Sequence, residues 1–103
     1  MPDDTISPDD CRTMADVRSG VDALDVEIVR LLATRFGYMR AAARIKPSRD
    51  AVRDEARKAQ VIANAEAVAS AMSLPPGLVA ELWDHLVEAS IAYETDEWDR
   101  IKS

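Results

Sequence analysis

The sequence has little of what marks most enzymes at first sight. Its 103 residues hold one cysteine, Cys11, and one histidine, His85. A lone cysteine excludes an intrachain disulfide framework and a Cys-cluster zinc site. Glycine is scarce, at three residues, and no Asn-Gly or Asp-Gly pair marks a tight turn. That argues against a hairpin-rich β fold. Two Trp, two Tyr and one Phe are the only aromatic residues, so Ala, Val, Leu and Ile must build the core. No apolar run approaches the roughly 18 residues of a membrane span. The start, Met-Pro-Asp-Asp, has neither the basic flank nor the apolar run of a signal peptide, and a cytosolic location is expected. Thirteen basic residues face 19 acidic ones, a formal charge of −6. Phosphate binding wants a basic surface, so nucleic acid is not the expected partner. Neither a Gly-rich phosphate loop nor a His/Cys cluster is present, and no metal or cofactor is expected.

What is present reads as helix. Half the chain is apolar (48%), and the length suits one domain. Alone, such a chain buries only about two-thirds of its unfolded surface. Residues 1–12 (MPDDTISPDDCR) are polar with two prolines and read as a flexible arm, leaving 13–103 as the domain. Thr13 can cap a helix, and Asp16 puts a negative charge in its first turn. From there Val17, Val21, Leu24, Ile28, Leu31, Arg35, Tyr38, Ala42 and Ile45 alternate steps of four and three. This heptad stripe is the signature of a long helix that seeks a partner helix. Pro47 stops it, giving roughly 30 residues, or about 45 Å. After a connection over 47–52, a second helix carries Arg57, Val61, Ala65, Val68 and Met72 on one stripe. Pro75-Pro76-Gly77 breaks it. A third helix runs from Leu78 to about Arg100, with Val79, Leu82, Leu86, Ala89 and Tyr93 as its stripe. Trp83, Val87, Ser90 and Glu94 lie just beside that row. The expected fold is all-α, three helices with one long N-terminal helix. A 45 Å helix outruns a globule whose radius of gyration is about 13 Å. The two shorter helices cannot cover its stripe, so an intertwined homodimer is expected.

The residues that break the apolar pattern are the candidates for function. Arg35 occupies a seam position, Arg57 begins the second stripe, and Ser90 and Glu94 sit one turn apart. A buried guanidinium without a partner costs several kcal/mol, so each arginine needs a carboxylate from the protein or from a ligand. Lys46 follows Arg35 by 11 residues, about three turns plus 20°, on the same face and about 16 Å along the axis. Two long side chains reaching toward each other leave a gap the size of a small dianion. Arg18 lies 17 residues before Arg35, about 25 Å away, and must come from the other subunit if both serve one site. Plainer readings stand beside these. A seam arginine can snorkel or pair with a local acid. Lys46 can complement the helix dipole. Glu94, within Glu94-Thr95-Asp96-Glu97, can belong to a solvated face. Cys11 and His85 read as structural or inert.

Three segments resemble one family. DCRTMADVRSGVDALDVEIVRLLATRFGYMRAAARIK resembles the first helix of the all-helical (AroQ-class) chorismate mutases, with an Arg near its start, a Leu-Leu-Ala-x-Arg centre and a Lys near its end. AVRDEARKAQVI is similar to the start of that family's second helix, and SIAYETDEW to the third-helix segment that closes the pocket. The likeness covers about residues 10 to 98. It implies an enzyme that rearranges chorismate to prephenate without a cofactor, in a homodimeric helical bundle of the shikimate pathway. By resemblance, Arg18 from the partner chain and Arg35 bind the two carboxylates of chorismate. Lys46 donates to the ether oxygen and a carboxylate, Asp54 takes the ring hydroxyl, Arg57 adds charge at the rim, and Ser90 sits near a carboxylate. Glu94 stands where many members carry Gln as second donor to the ether oxygen. Lys58 is a departure, because the family often has Glu there. Pro8-Asp9-Asp10-Cys11 is also similar to isochorismate-pyruvate lyases of salicylate and pyochelin biosynthesis, which share the fold. Asp54, Ser90 and Glu94 favour the mutase. An aminodeoxychorismate mutase and a non-catalytic helical dimerisation module are the other readings.

The chemistry suits such residues. A [3,3] rearrangement needs no nucleophile. It needs the enolpyruvyl arm held over the ring, a proximity effect. It also needs negative charge on the ether oxygen met by fixed donors. Arginine forks fit carboxylates, and a lysine supplies a point charge. Glu94 can donate only as the acid.

Overall fold

The computed structural model describes residues 6–102. These form three α-helices, with no strand among the described residues: α1 (Met14–Ile45), α2 (Glu55–Ala71) and α3 (Leu78–Lys102). The all-α expectation with a long first helix holds, and α1 has 32 residues. The chain divides into two compact units between Gly37 and Tyr38.

In the first unit the helix start is where local chemistry puts it. The Thr13 hydroxyl accepts from the Asp16 N–H at 3.1 Å. The Asp16 carboxylate accepts in return from the N–H groups of Arg12 (3.0 Å) and Thr13 (3.3 Å). This reciprocal box satisfies donors that a helix start leaves open. The Arg12 backbone N–H is the chief reason the Asp16 carboxyl lies below its ordinary range. Residues 1–5 of the expected arm lie outside the described residues. Residues beyond them are folded locally: Pro8–Asp10 make a 3₁₀ turn, with the Ser7 hydroxyl donating to Asp10 at 2.9 Å. Ile6, Pro8 and Cys11 face Val17, Val21 and Leu24 across an apolar cavity of about 450 Å³. The heptad row of α1 is open to solvent in the single chain, Leu24 at 58% and Leu31 at 66%.

In the second unit α1 ends at Ile45, two residues before Pro47. Proline disfavours helical backbone in the residue before it, and Lys46 has left the helix. A 3₁₀ turn at Arg49–Ala51 leads to α2. Asp54 caps α2, its side chain accepting from the Arg57 N–H at 3.0 Å. The C-terminal end of α2 closes through a left-handed residue. Ser73 has φ 60°, Leu74 N–H reaches Ala69 O at 3.0 Å and Ser73 N–H reaches Ser70 O at 3.1 Å. These are the two hydrogen bonds of a Schellman motif, with serine where glycine is usual. Past the two prolines, Gly77 (φ 85°) opens α3 and donates its N–H to Glu66 at 3.3 Å.

Helix α2 packs along α3, and each covered face keeps part of the expected apolar row and takes in residues beside it. On α2 the covered side carries Lys58, Val61, Ile62, Ala65 and Ala69, while Arg57, Val68 and Met72 are exposed. On α3 the expected row is covered only in part, with Val79 buried, Leu86 and Tyr93 half-buried and Leu82 and Ala89 exposed, while Val87, Ser90 and Glu94 from the row beside it are buried and Trp83 is half-buried. The physical reason is that two polar members of this row find partners inside the fold, so the interior accepts them.

Candidate active site

Lys46 is the centre of the candidate site. Its ammonium lies 2.6 Å from Glu94 Oε2 and 3.4 Å from the Val52 carbonyl oxygen. Glu94 is buried, 4% exposed, and Val52 is equally covered. The contact is an ion pair by distance. Its angles fall short of a hydrogen bond, and among the described residues Oε2 has no other hydrogen-bond partner. A carboxylate oxygen sealed in the interior against a lysine ammonium is an arrangement that a purely structural role rarely needs. Ser90, 3% exposed, lies one turn before Glu94 on α3, and its hydroxyl donates to the Leu86 carbonyl at 2.7 Å.

The backbone of Lys46 is held too. The Trp98 indole N–H donates to the Lys46 carbonyl at 3.3 Å. Arg49 forks onto Asp99 at 2.8 and 3.1 Å. Arg40 of α1 donates to the Tyr93 hydroxyl of α3 at 3.1 Å.

The start of α2 brings a second set of charges to α3. Arg53 pairs with Glu55 at 2.9 Å and with Glu88 at 2.7 Å. Lys58 reaches Glu88 at 2.6 Å and Asp84 at 3.0 Å. The Arg53 hydrogen bonds, then those of Lys58, hold the Glu88 carboxyl down to about 2. Lys58, where the resembling family often has Glu, is therefore a strut between α2 and α3.

The second unit thus brings together Lys46, Ser90 and Glu94 of the expected set. Asp54 and Arg57 lie at the start of α2, both exposed. Asp54 spends Oδ1 on the helix cap, and the Arg57 guanidinium donates to Gln60 at 2.8 Å. Arg18 and Arg35 belong to the first unit, Arg18 exposed and Arg35 half-buried. Sequence reasoning missed Trp98 and the Arg53–Glu88–Lys58 cluster. An indole at four residues beyond Glu94 was the available signal for the first. Among the described residues no group of three His, Cys, Asp or Glu is placed to hold a metal ion, and no helix is long and apolar enough to cross a membrane.

Comparison with known proteins adds two findings. The sequence profile of the family described as chorismate mutase type II matches residues 17–95. The isochorismate pyruvate lyase of Pseudomonas aeruginosa is 30% identical over 92 residues, covering 89% of this chain and 91% of that protein.

Proposed function

The chain belongs to the chorismate mutase type II family, and from that premise we propose that it rearranges chorismate to prephenate. The observation that carries this reading is the Lys46–Glu94 pair, a cation and a sealed carboxyl 2.6 Å apart. In the proposed reaction the substrate's carboxylates are held by Arg35 and by Arg18 of a partner subunit. Holding both fixes the enolpyruvyl arm over the ring. The C–O bond then breaks as the new C–C bond forms, and the ether oxygen gains negative charge. Lys46 meets that charge from a position fixed beforehand, which avoids reorganisation at the moment of reaction. Glu94, as the acid, is the second donor. Asp54 takes the ring hydroxyl with the oxygen that does not cap α2, Arg57 adds positive charge at the rim, and Ser90 sits beside a carboxylate. The bare chorismate mutase scheme needs no cofactor, and the reading places the enzyme in the cytosol.

The homodimer is part of the same proposal. What supports it is the open heptad row of α1, since the exposed Val17, Val21, Leu24, Ile28 and Leu31 need a cover of the same period. A second copy supplies that cover and delivers Arg18.

A second reading has its own support. The relative from P. aeruginosa is named a lyase of isochorismate, and release of pyruvate from isochorismate is also a pericyclic step that a clamp of cations can serve. Incubating the purified protein with each substrate separates the two. Prephenate from chorismate, with little salicylate or pyruvate from isochorismate, is the expected outcome. Efficient release of salicylate and pyruvate makes the protein the lyase. Turnover of neither removes both readings and leaves the non-catalytic module or an aminated substrate.

A further inference from the structure

Lys46 is the first residue past the end of α1, and Pro47 prevents the helix from continuing through it. Its N–H still bonds to the Ala42 carbonyl at 2.9 Å. Beyond that bond the helix offers it nothing, because the carbonyls of a last turn have no intrahelical donor. A lysine that must hold a point charge still is thus attached where its own helix stops restraining it.

The last turns of α3 supply the missing restraint. Trp98 donates its only polar hydrogen to the Lys46 carbonyl at 3.3 Å. Lys102 donates to the Arg44 carbonyl at 3.5 Å, and its ammonium stands 5.9 Å from the centre of the Trp98 ring. Asp99 takes the Arg49 fork three residues past Lys46 in the chain. Glu94 and Trp98 are four residues apart and so lie on one face of α3, about 6 Å apart along its axis. One holds the Lys46 side chain by its ammonium and the other holds its backbone by the carbonyl. Two anchors from one rigid helix fix both ends of a flexible four-carbon stem.

We propose that Trp98 is a positioning residue for Lys46: its indole N–H sets the register of the lysine backbone against α3 and thereby the place of the ammonium. This rests on the reading of Lys46 as the donor to the ether oxygen. The charge on that oxygen exists only in the transition state, so a displaced ammonium lowers kcat more than it raises KM.

The test is Trp98→Phe, which keeps an aromatic body and removes the donor. Chorismate turnover is measured for the wild type, W98F, Lys46→Ala and the double variant, with urea unfolding alongside. The expected result is a loss of about tenfold in kcat, a KM within about twofold, and a nearly unchanged urea midpoint. In the Lys46→Ala background W98F costs no further activity or chorismate affinity, because there is no ammonium left to place. If W98F does not fold, site-specific replacement of Trp98 by the benzothiophene isostere, with sulfur in place of N–H, removes the donor at constant shape. A kcat within twofold of wild type for the folded variant overturns the proposal. So does an equal loss in the Lys46→Ala background, which marks Trp98 as packing alone. Failure of the wild type on chorismate and isochorismate removes the reading of Lys46 itself, and the inference with it. That outcome is visible before any variant is made.

Discussion

Lys46 and Glu94 stand or fall together. Glu94 is 4% exposed and has Lys46 as its counter-charge at 2.6 Å. Removing one member of a buried pair strands the other, whereas replacing both is often tolerated. Lys46→Met is expected to destabilise the protein by about 2–3 kcal/mol, somewhat below the figure for a fully sealed pair because the lysine keeps some water contact. Lys46→Met combined with Glu94→Gln should recover much of that loss, and urea unfolding of the three proteins checks it. Activity separates what stability does not. If Glu94 donates to the ether oxygen, Glu94→Gln, whose amide always carries an N–H donor, is expected to keep turnover. A folded Glu94→Gln without activity removes that role. The candidate residues were legible from sequence because Arg35, Arg57, Ser90 and Glu94 interrupt apolar rows. Their pairing was not. Nothing local in residues 46 and 94 says that a lysine beyond one helix and a glutamate inside another share a contact. Nor does Lys58 announce, in a sequence, that Asp84 and Glu88 will neutralise it.

The helices were readable at several of their ends and only in part in their rotation. Thr13 and Asp16, Pro47, and the Pro75-Pro76-Gly77 break act through their immediate neighbours: α1 begins at the first, stops just before the second, and the third separates α2 from α3. Rotation about the axis is settled by partners on other elements. The most apolar row of α3 contains Leu82, yet the buried row runs through Ser90 and Glu94 because Lys46 and the Leu86 carbonyl satisfy them. Two predictions belong here. Ser73 holds a left-handed backbone at the end of α2, where a side chain is strained and glycine is not. Ser73→Gly should stabilise the protein by about 0.5–1 kcal/mol, read as a raised thermal midpoint. The Glu88 cluster governs acid stability. Arg53 and Lys58 hold the folded-state value near 2, below the ordinary value of 4.5. A lowered carboxylate contributes fully above its unfolded value, and the contribution fades as pH falls through the interval between 4.5 and about 2. Glu88→Gln should therefore be less stable than wild type near neutrality, with the difference closing as the medium is acidified across that interval. A gap that stays constant with pH would show that the cluster does not titrate as a unit.

At the scale of the whole molecule, the proposed dimer makes one site out of two chains. Arg18→Ala and Arg35→Ala are each expected to lose nearly all turnover. Mixed and allowed to exchange subunits, they should recover part of it, since a hybrid pairs one damaged chain's intact arginine with the other's. No recovery after demonstrated exchange sets the shared site aside. The open row of Val21, Leu24, Ile28 and Leu31 along α1 then has a meaning for abundance as well as for shape. A catalyst completed only by meeting its twin has an output that depends on how often twins meet. Far below the dissociation constant, doubling the number of chains quadruples the number of finished sites. Above it, doubling merely doubles them. Diluting the protein stepwise in an assay should show specific activity falling away at a characteristic concentration. In a cell that makes few copies, that concentration is where the reaction turns itself off.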